Sequence, residues 1–268
     1  MQIGFTWNHT QNDTPPAELP ESPKAAAPRK SIVQIQFPGR GMSLSYFNDR
    51  FDLQVGDLVY VDGKLEGVRG RVTEINYNFR IRPSDYQKVI AVADTAVKGQ
   101  FYPADSYFLS FHRDAIPAKK IAGWFLAPHC EEEVISGTDD SFFRLEDLSG
   151  MKVSPAIAER GRDYYANHHV EYLSIDGTRG YALVSGTEPY EVEFTYRNGE
   201  ISRLICSCFC SYPCKHEVAA MLLLKHMLSV LAEQYAELYS ETNYFAAILK
   251  RTLLSYAVER GENSLTLG

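Results

Sequence analysis

Hydrophobic and polar residues alternate along several short segments in the first half of the chain. From Val33 onwards, every second residue of Ser31–Phe37 is large and apolar, and the positions between are polar. Thr73–Arg82 alternates in the same way, and Asp52–Val61 leads into a turn at Asp62-Gly63. A period of two residues is typical of strands with one buried face. The pattern predicts a small β-barrel or open sheet here.

The second half begins with a predicted helix and continues as a predicted antiparallel meander. Ser154 is a good helix cap and Pro155 is tolerated at the first helical position, so the helix is expected to run to about Asn167. Turn residues then recur at short intervals, and Asn198-Gly199 is a strong predictor of a hairpin. The predicted strands are His169–Ser174, Gly180–Ser185, Glu191–Tyr196 and Ile201–Ile205.

Two C-terminal helices are predicted after the meander. Glu217–Glu233 contains no glycine or proline and is apolar enough for a largely buried helix. In Tyr244–Arg260 large apolar residues recur at helical spacing, and Gly261 is expected to end that helix. These elements predict an α+β protein: a β-barrel-like N-terminal region, then a helix and an antiparallel meander, then C-terminal helices.

Composition divides the chain into five predicted regions. Residues 14–30 are rich in proline, which predicts a linker behind a short tail whose Phe5 and Trp7 could dock on a partner or simply move freely. Several adjacent acidic residues mark the connector. The predicted division is residues 1–30 (tail and linker), 31–125 (β-rich domain), 126–150 (acidic connector), 151–234 (the domain of the cysteine cluster) and 235–268 (C-terminal helix).

Charge and hydropathy limit the environment and the partners of the protein. The formal net charge is -7, so contact with a nucleic acid requires a local basic patch. No apolar run approaches the roughly 20 residues that a membrane span needs, and the first residues do not have the pattern of a signal peptide. We therefore expect a cytoplasmic protein without a membrane partner. In a reducing compartment, clustered cysteines point to metal binding or redox chemistry rather than to disulfides.

Four of the 5 cysteines lie within the eleven residues CSCFCSYPCKH, at 206–216. Cys206 and Cys208 follow a predicted strand, and Cys214 and His216 open a predicted helix. Two such local pairs can supply the four corners of a tetrahedral Zn²⁺ site. The alternative set replaces Cys206 by Cys210. Phe209 and Tyr212 are expected to cover the ion.

Redox and iron–sulfur interpretations of the cluster are weaker. A redox site typically uses Cys-x-x-Cys with an exposed, low-pKa thiol, and a histidine ligand is unusual for an iron–sulfur cluster. One structural zinc ion, with all four positions filled by the protein, is therefore the preferred interpretation.

The pattern Cys-x-Cys, a short gap, then Cys-x-His before an apolar helix resembles the SWIM zinc finger family. The resemblance extends over about residues 150–232, through Arg160-Gly161-Arg162-Asp163-Tyr164-Tyr165, the strand at Val170, Ala182–Gly186 and Tyr190-Glu191-Val192. It implies the ligands Cys206, Cys208, Cys214 and His216, with Cys210 as an additional thiol.

The family resemblance also implies a function. SWIM modules are regarded as DNA-binding or protein-binding modules, not as catalysts, and they occur in Swi/Snf-type helicase-related ATPases, in Mutator-type transposases and in partners of recombinases. This chain has no GxxxxGK[ST] phosphate loop. The expectation is therefore a non-enzymatic zinc finger protein that binds nucleic acid, in particular DNA, or a protein. The alternatives are a pure protein-interaction adaptor, in particular an accessory chain of a helicase-type ATPase, and an enzyme with an unidentified N-terminal site.

A second resemblance concerns the N-terminal region. Val55-Gly56-Asp57-Leu58-Val59-Tyr60-Val61, followed by Gly70–Ile75, is similar to the small β-barrel modules of primosomal helicases and to SH3 folds.

Basic residues define the candidate contacts with nucleic acid. Arg80 and Arg82 lie on a predicted strand with interleaved aromatic residues, which suits a single strand, although an ordinary solvated strand face has the same pattern. Arg160 and Arg162 lie near the cysteine cluster in sequence. Lys215 could meet a phosphate at the helix N-terminus or could offset the charge of the neighbouring thiolates.

Two further residue pairs are interpreted as structural. His129-Cys130 could be a nucleophile or metal pair, but no partners for a triad are apparent in the sequence. His168-His169 is adjacent to a predicted strand, so the two side chains are expected to point to opposite faces.

Overall fold

A computed structural model describes residues 28–128, 142–210, 213–257 and 264–267 of the chain. Across these ranges it shows a mixed α+β architecture of two sheets and five α-helices. The tail, most of the proline-rich linker and most of the acidic connector lie outside the described residues. So do His129, Cys130 and Tyr212.

The smaller sheet is antiparallel and has the strand order β2-β1-β4-β3-β5. The alternation predicted for β1 is confirmed, because Val33, Ile35 and Phe37 are all fully buried. The two edges of the sheet, at β2 and beside β5, are joined by a single isolated β-bridge between Phe47 and Lys88. The predicted barrel is therefore not closed. The strands are β1 (Ser31–Phe37), β2 (Met42–Asn48), β3 (Leu58–Val61), β4 (Gly70–Asn76) and β5 (Val89–Val92).

The strand predicted over Thr73–Arg82 is only half right. β4 ends at Asn76, whose side-chain oxygen accepts a hydrogen bond from the Asn78 N–H at 2.8 Å and so begins a turn. Arg80 and Arg82 are exposed in the segment that follows, which is not a strand. The basic strand face predicted there is therefore wrong in its geometry.

The larger sheet contains nine strands in the order β14-β6-β7-β13-β9-β10-β11-β12-β8. All its neighbouring pairs are antiparallel except β14 with β6. Its strands are β6 (Lys98–Ala104), β7 (Tyr107–Ser110), β8 (Phe142–Arg144), β9 (Val170–Asp176), β10 (Arg179–Ser185), β11 (Pro189–Arg197), β12 (Glu200–Cys206), β13 (Tyr244–Leu249) and β14 (Ser264–Leu267).

The predicted meander corresponds to β9 through β12. Asn198 and Gly199 both adopt positive φ angles, 51° and 82°, as a two-residue hairpin turn between twisted strands requires. Arg203 also has a positive φ angle, and it lies where the register of β12 shifts against β11. This bulge changes which residues of β12 face the core.

The helix predicted over Tyr244–Arg260 is wrong in its first third. Tyr244–Leu249 forms β13, which lies between β7 and β9, and all six of its residues are buried. A short, continuous apolar run is compatible with a buried helix or a buried strand, because both faces need apolar residues. The helix begins only at Lys250.

Helices cover both faces of the larger sheet. One core packs α3 against one set of sheet residues, which includes Leu173 and Ala182. A second core packs Ile121 of α1 and Leu253 of α5 against the opposite face. The helices are α1 (Ala118–Ala122), α2 (Pro155–Ala166), α3 (Lys215–Gln234), α4 (Ala236–Thr242) and α5 (Lys250–Ala257).

The helices α2 and α3 cross closely at Gly161. A Cβ atom at this position would lie 2.4 Å from the Cβ of Val218, so a larger residue would push the helices apart. As predicted, Ser154 caps α2 by accepting a hydrogen bond from the Ile157 N–H, with proline in the first turn. Through this contact α2 lies beside the first turns of α3.

Within the described ranges, no helix combines the length and the apolar character needed to cross a lipid bilayer.

Candidate metal centre

The end of β12 brings two thiols to one side of the chain. Cys206 is the last residue of β12, and Ser207 continues the pairing with β11: its N–H donates to the Glu191 carbonyl, and its hydroxyl accepts from the Glu191 N–H, both at 2.9 Å. Because side chains alternate along extended backbone, Cys206 and Cys208 project to the same side, away from Ser207.

The other two candidate ligands are placed by the start of α3. Cys214 is the N-cap residue, and His216 lies in the first turn. The Cys214 N–H donates to Glu217 Oε2 at 2.6 Å, and the Glu217 N–H is directed back to the Cys214 sulfur. This reciprocal pair is a capping box with cysteine in place of serine. It fixes the thiol relative to the helix axis.

Cys206, Cys208, Cys214 and His216 form one cluster whose ligand atoms all lie within 4.8 Å of one another. His216 Nδ1 is 3.6 Å from Cys214 Sγ and 3.7 Å from Cys206 Sγ. In a tetrahedral site with ordinary Zn–S and Zn–N bond lengths, a sulfur and a nitrogen ligand are about 3.6 Å apart. These residues could therefore hold one metal ion.

Cys210 lies outside this cluster. Its side chain is exposed, whereas Cys214 is buried and Cys206 and Cys208 are half-buried. It also contacts Cys208: its backbone N–H donates to the Cys208 sulfur and lowers the pKa of that thiol, whereas its side-chain hydrogen bond raises it. In this geometry Cys210 supports a candidate ligand instead of replacing Cys206.

Two thiols of the cluster, those of Cys208 and Cys214, have raised pKa values. Burial raises the pKa of Cys208 to about 12. The pKa of Cys214 is also raised, first by its hydrogen bond with Cys206 and then by burial. A bound divalent cation would lower these pKa values, because it stabilises coordinating thiolates directly.

The imidazole of His216 is neutral at physiological pH, as a metal ligand must be. Burial lowers its pKa to about 4, and the positive charge of Lys215 and the neighbouring His169 add to the shift. Its Nδ1 faces the sulfurs, and its Nε2 is buried and makes no hydrogen bond with the described residues.

Aromatic rings hold His216 in place. The Tyr190 ring stacks on the imidazole, with 4.1 Å between the centroids, and the Tyr164 ring meets it edge-on at 5.5 Å. The Tyr164 ring in turn stacks on His169. A Cβ atom at Gly186 would come within 3.0 Å of the Tyr190 ring and 3.5 Å of the Tyr164 hydroxyl, so glycine leaves room for both tyrosines.

Lys215 lies beside this aromatic group. Its ammonium is 4.3 Å from the centre of the Tyr164 ring, a cation–π contact. Its ammonium is therefore engaged by an aromatic ring. Arg160 is exposed and donates to the Ala156 carbonyl of its own helix, and Arg162 lines a small cavity of about 310 Å³ beside Val218.

Phe209 does not shield the cluster. Its side chain is fully exposed, which corrects the expectation that it covers the ion.

Two other histidines occupy the positions next to β9. His168 adopts a turn conformation with a φ angle of 56° and lies 3.3 Å from the Ser106 hydroxyl, and His169 Nδ1 lies 3.0 Å from the Ser185 carbonyl oxygen. The two rings thus have separate surroundings, and His169 supports Tyr164 beside the cluster.

Sequence reasoning missed the residues around the ligands. Glu217 had a detectable pattern, because Cys-x-x-Glu has the spacing of a capping box. Tyr164, Gly186 and Tyr190 are residues of the SWIM-like pattern, but nothing in their spacing indicates that they surround an imidazole. Comparisons with family models, with curated proteins and with solved structures find no match to this chain.

Proposed function

We propose that this chain is a SWIM-type zinc finger protein in which Cys206, Cys208, Cys214 and His216 bind one structural Zn²⁺. The observation that carries the proposal is the cluster itself: three sulfurs and one nitrogen at mutual distances that suit a tetrahedron. Thiolates and a neutral imidazole are the ligands that zinc prefers. Since four protein ligands leave no position for a catalytic water, the proposed role is not enzymatic.

The residues that carry the SWIM resemblance support this proposal by their position. Gly161 allows α2 to pack against α3 beside the cluster, and Tyr164, Gly186 and Tyr190 hold the His216 ring. A pattern spread over about sixty residues thus converges on a single site, which supports the proposal.

The zinc would join the end of β12 to the start of α3 and fix the turn between them. That turn presents Phe209 to solvent. An exposed aromatic side chain on a rigid support is a typical anchor for a protein partner. This observation favours a protein-binding module, and the partner proposed is a protein with an apolar pocket, such as the ATPase subunit of a helicase-type complex.

Nucleic acid, in particular DNA, is the second candidate partner at the finger. Its support is the exposure of Arg160 and Arg162 on α2, the helix that lies beside the cluster. Lys215 supports it less, because its ammonium is engaged by Tyr164. Arg80 and Arg82 lie in the segment that follows β4 of the smaller sheet. Within the described residues, no contact joins them to the finger.

Metal analysis of purified variants tests the zinc proposal. The wild-type protein is expected to contain about one zinc per chain, and Cys206→Ser is expected to lose it. Cys210→Ser is the matched control and should keep it. Loss of zinc from Cys210→Ser with retention in Cys206→Ser would reject this ligand set.

A pull-down with Phe209→Ala tests the role of the exposed ring. Phe142→Ala is the control, since Phe142 is also largely exposed but lies on the edge strand β8. The protein-binding role is supported if wild type and the control both capture the same protein, and Phe209→Ala does not. The capture must also survive nuclease treatment. Equal capture by both variants contradicts it.

A further inference from the structure

A cleft of about 900 Å³ lies between the smaller sheet and the larger one, and none of the four candidate metal ligands is among its lining residues. Its walls come from the hairpin between β1 and β2, the start of β4, the segment after α1, the turn between β10 and β11, and α5. This volume lies in the upper part of the range for small-molecule sites, which is about 300–1,000 Å³.

Three arginines line this cleft: Arg40, Arg69 and Arg71. The acidic residues in its lining, Glu66 and Glu188, are exposed, as Arg40 is, whereas Arg69 and Arg71 are half-buried and less screened by solvent. In a chain with a net charge of -7, this is a local concentration of positive charge.

Two of the arginines are held rigidly. Arg69 donates to the Trp124 carbonyl, and its guanidinium lies over the rings of Phe125 and Tyr256, at 5.2 and 4.5 Å from their centres. Arg71 donates to the carbonyls of Gly56 and Ser255, at 3.1 and 3.3 Å. A guanidinium that is already fixed loses little side-chain entropy when it binds a ligand.

Arg40 is different. It is exposed in the short 3₁₀ turn between β1 and β2, and it makes no hydrogen bond or ion pair with the described residues. None of its five N–H groups is bonded to another of the described residues.

Much of the remaining lining is apolar. Pro38, Leu58, Val68, Leu126 and Pro189 contribute to it, together with Phe125 and Tyr256, whose rings lie under the Arg69 guanidinium. The cleft therefore offers cationic groups next to apolar ones. A guanidinium matches the geometry of a phosphate, and apolar side chains can pack against the rest of a nucleotide.

We propose that this cleft binds a nucleotide phosphate, as a free nucleotide or as part of a single-stranded nucleic acid. Arg40 makes the direct contact with the phosphate, and the fixed guanidinium groups of Arg69 and Arg71 orient the phosphate for that contact. Thr187 to Pro189 of its lining lie between Gly186 and Tyr190, which surround His216, so zinc content is measured together with nucleotide binding.

Equilibrium binding to the full-length protein tests the proposal with two phosphate-bearing probes. One is ATP, and the other is fluorescein-labelled oligothymidylate about 10 nucleotides long, a length within the site sizes of single-strand binders. Both are titrated at about 50 mM salt, where phosphate contacts are strong. Saturable binding of either probe is expected. Tighter and more salt-dependent binding of the oligothymidylate identifies nucleic acid as the source, and equal or tighter binding of ATP identifies a free nucleotide.

Arg40→Glu is the decisive variant, because Arg40 makes no hydrogen bond or ion pair with the described residues and its replacement should leave the fold intact. Binding is expected to weaken at least about tenfold, with a shallower salt dependence. Arg197→Glu is the matched control: it makes the same charge change at an exposed position of β11 and should bind like wild type.

Three results would overturn the proposal. They are the absence of saturable binding by both probes, an equal loss in Arg197→Glu, and equally tight binding of an oligoglutamate peptide of similar length. Zinc content is measured in the same samples. A protein that keeps its zinc and binds neither probe refutes the cleft and leaves the zinc proposal standing.

Discussion

The five-stranded sheet β1–β5 has an apolar core of its own, whereas the turn that joins β12 to α3 has almost none. Ten buried apolar side chains, among them Ile35 and Val59, form the core of the sheet. In the turn, Ser207, Phe209, Cys210 and Pro213 are all exposed. The sheet can therefore be stabilised by removing apolar surface from water, while the turn needs specific bonds. If the proposed zinc is bound, the two regions draw on different sources of stability.

Loss of the metal should have the largest effect, and it should spare the smaller sheet. Cys214→Ser keeps a good N-cap residue, so it removes the thiolate without removing the cap. The free energy of unfolding of the zinc-containing part is expected to fall by more than about 4 kcal/mol, because metal binding is coupled to folding. Hydrogen exchange should show lost protection around the start of α3 and unchanged protection in β1 and β4.

The control for this change is Cys210→Ser, which should stay within about 0.5 kcal/mol of wild type. Equal loss of protection in β1 and in α3 would contradict the comparison, since it would mean that both regions depend on the metal.

Ile35→Ala is the converse change, directed at the sheet. Ile35 is fully buried, so its truncation should cost about 2–5 kcal/mol through lost burial and a cavity. Chemical denaturation measures this cost, and metal analysis should still find about one zinc per chain. Gln36→Ala, on the exposed side of the same strand, is the control. If Ile35→Ala also released zinc, the two regions would unfold together.

Gly161→Ala should have a smaller effect, at the contact that positions α3. The new methyl group would lie 2.4 Å from Val218, and such overpacking costs about 1–3 kcal/mol. Gly39→Ala is the matched control, because a Cβ atom there would have no other atom within 4 Å. In thermal denaturation, adding Val218→Gly to Gly161→Ala removes both atoms that the new methyl group meets, so the double variant should lose less stability than the sum of the two single losses. A double variant with strictly additive losses would argue against the close contact.

Glu217→Ala should have the smallest effect of the four. It removes the carboxylate that accepts the Cys214 N–H, and the loss of a helix cap costs about 1 kcal/mol. Glu233→Ala, at the exposed end of the same helix, should change stability by less than about 0.5 kcal/mol. The comparison is between the urea denaturation midpoints of the two variants, each measured with zinc bound. Indistinguishable midpoints would show that the capping box adds nothing once the metal is in place.

Local patterns predicted the local structure well. The alternation in Ser31–Phe37 and the Asn198-Gly199 turn depend on residues that are close in sequence, and both appear as expected. The cluster of Cys206, Cys208, Cys214 and His216 also follows from spacing, because a strand and a helix N-terminus present each pair on one side.

Long-range packing was not predictable in the same way. Tyr244–Leu249 is compatible with a helix until its neighbours are known, and they are strands more than sixty residues earlier in the chain. Tyr190 stacks on His216 only because β11 and α3 meet in the fold. The periodicity of apolar residues in the sequence does not predict such contacts. The residues around the ligands could therefore be identified only from the structure.

The position of β13 has a consequence for biosynthesis. This strand lies inside the larger sheet, between β7 and β9. In sequence, however, it follows every other strand of that sheet except β14. While the ribosome is still adding residues 207–243, β7 and β9 each expose an unpaired edge, and such edges can pair with other chains. Completion of the sheet therefore waits for one late hexapeptide, and a nascent chain stalled before Tyr244 should need a chaperone more than the finished protein does.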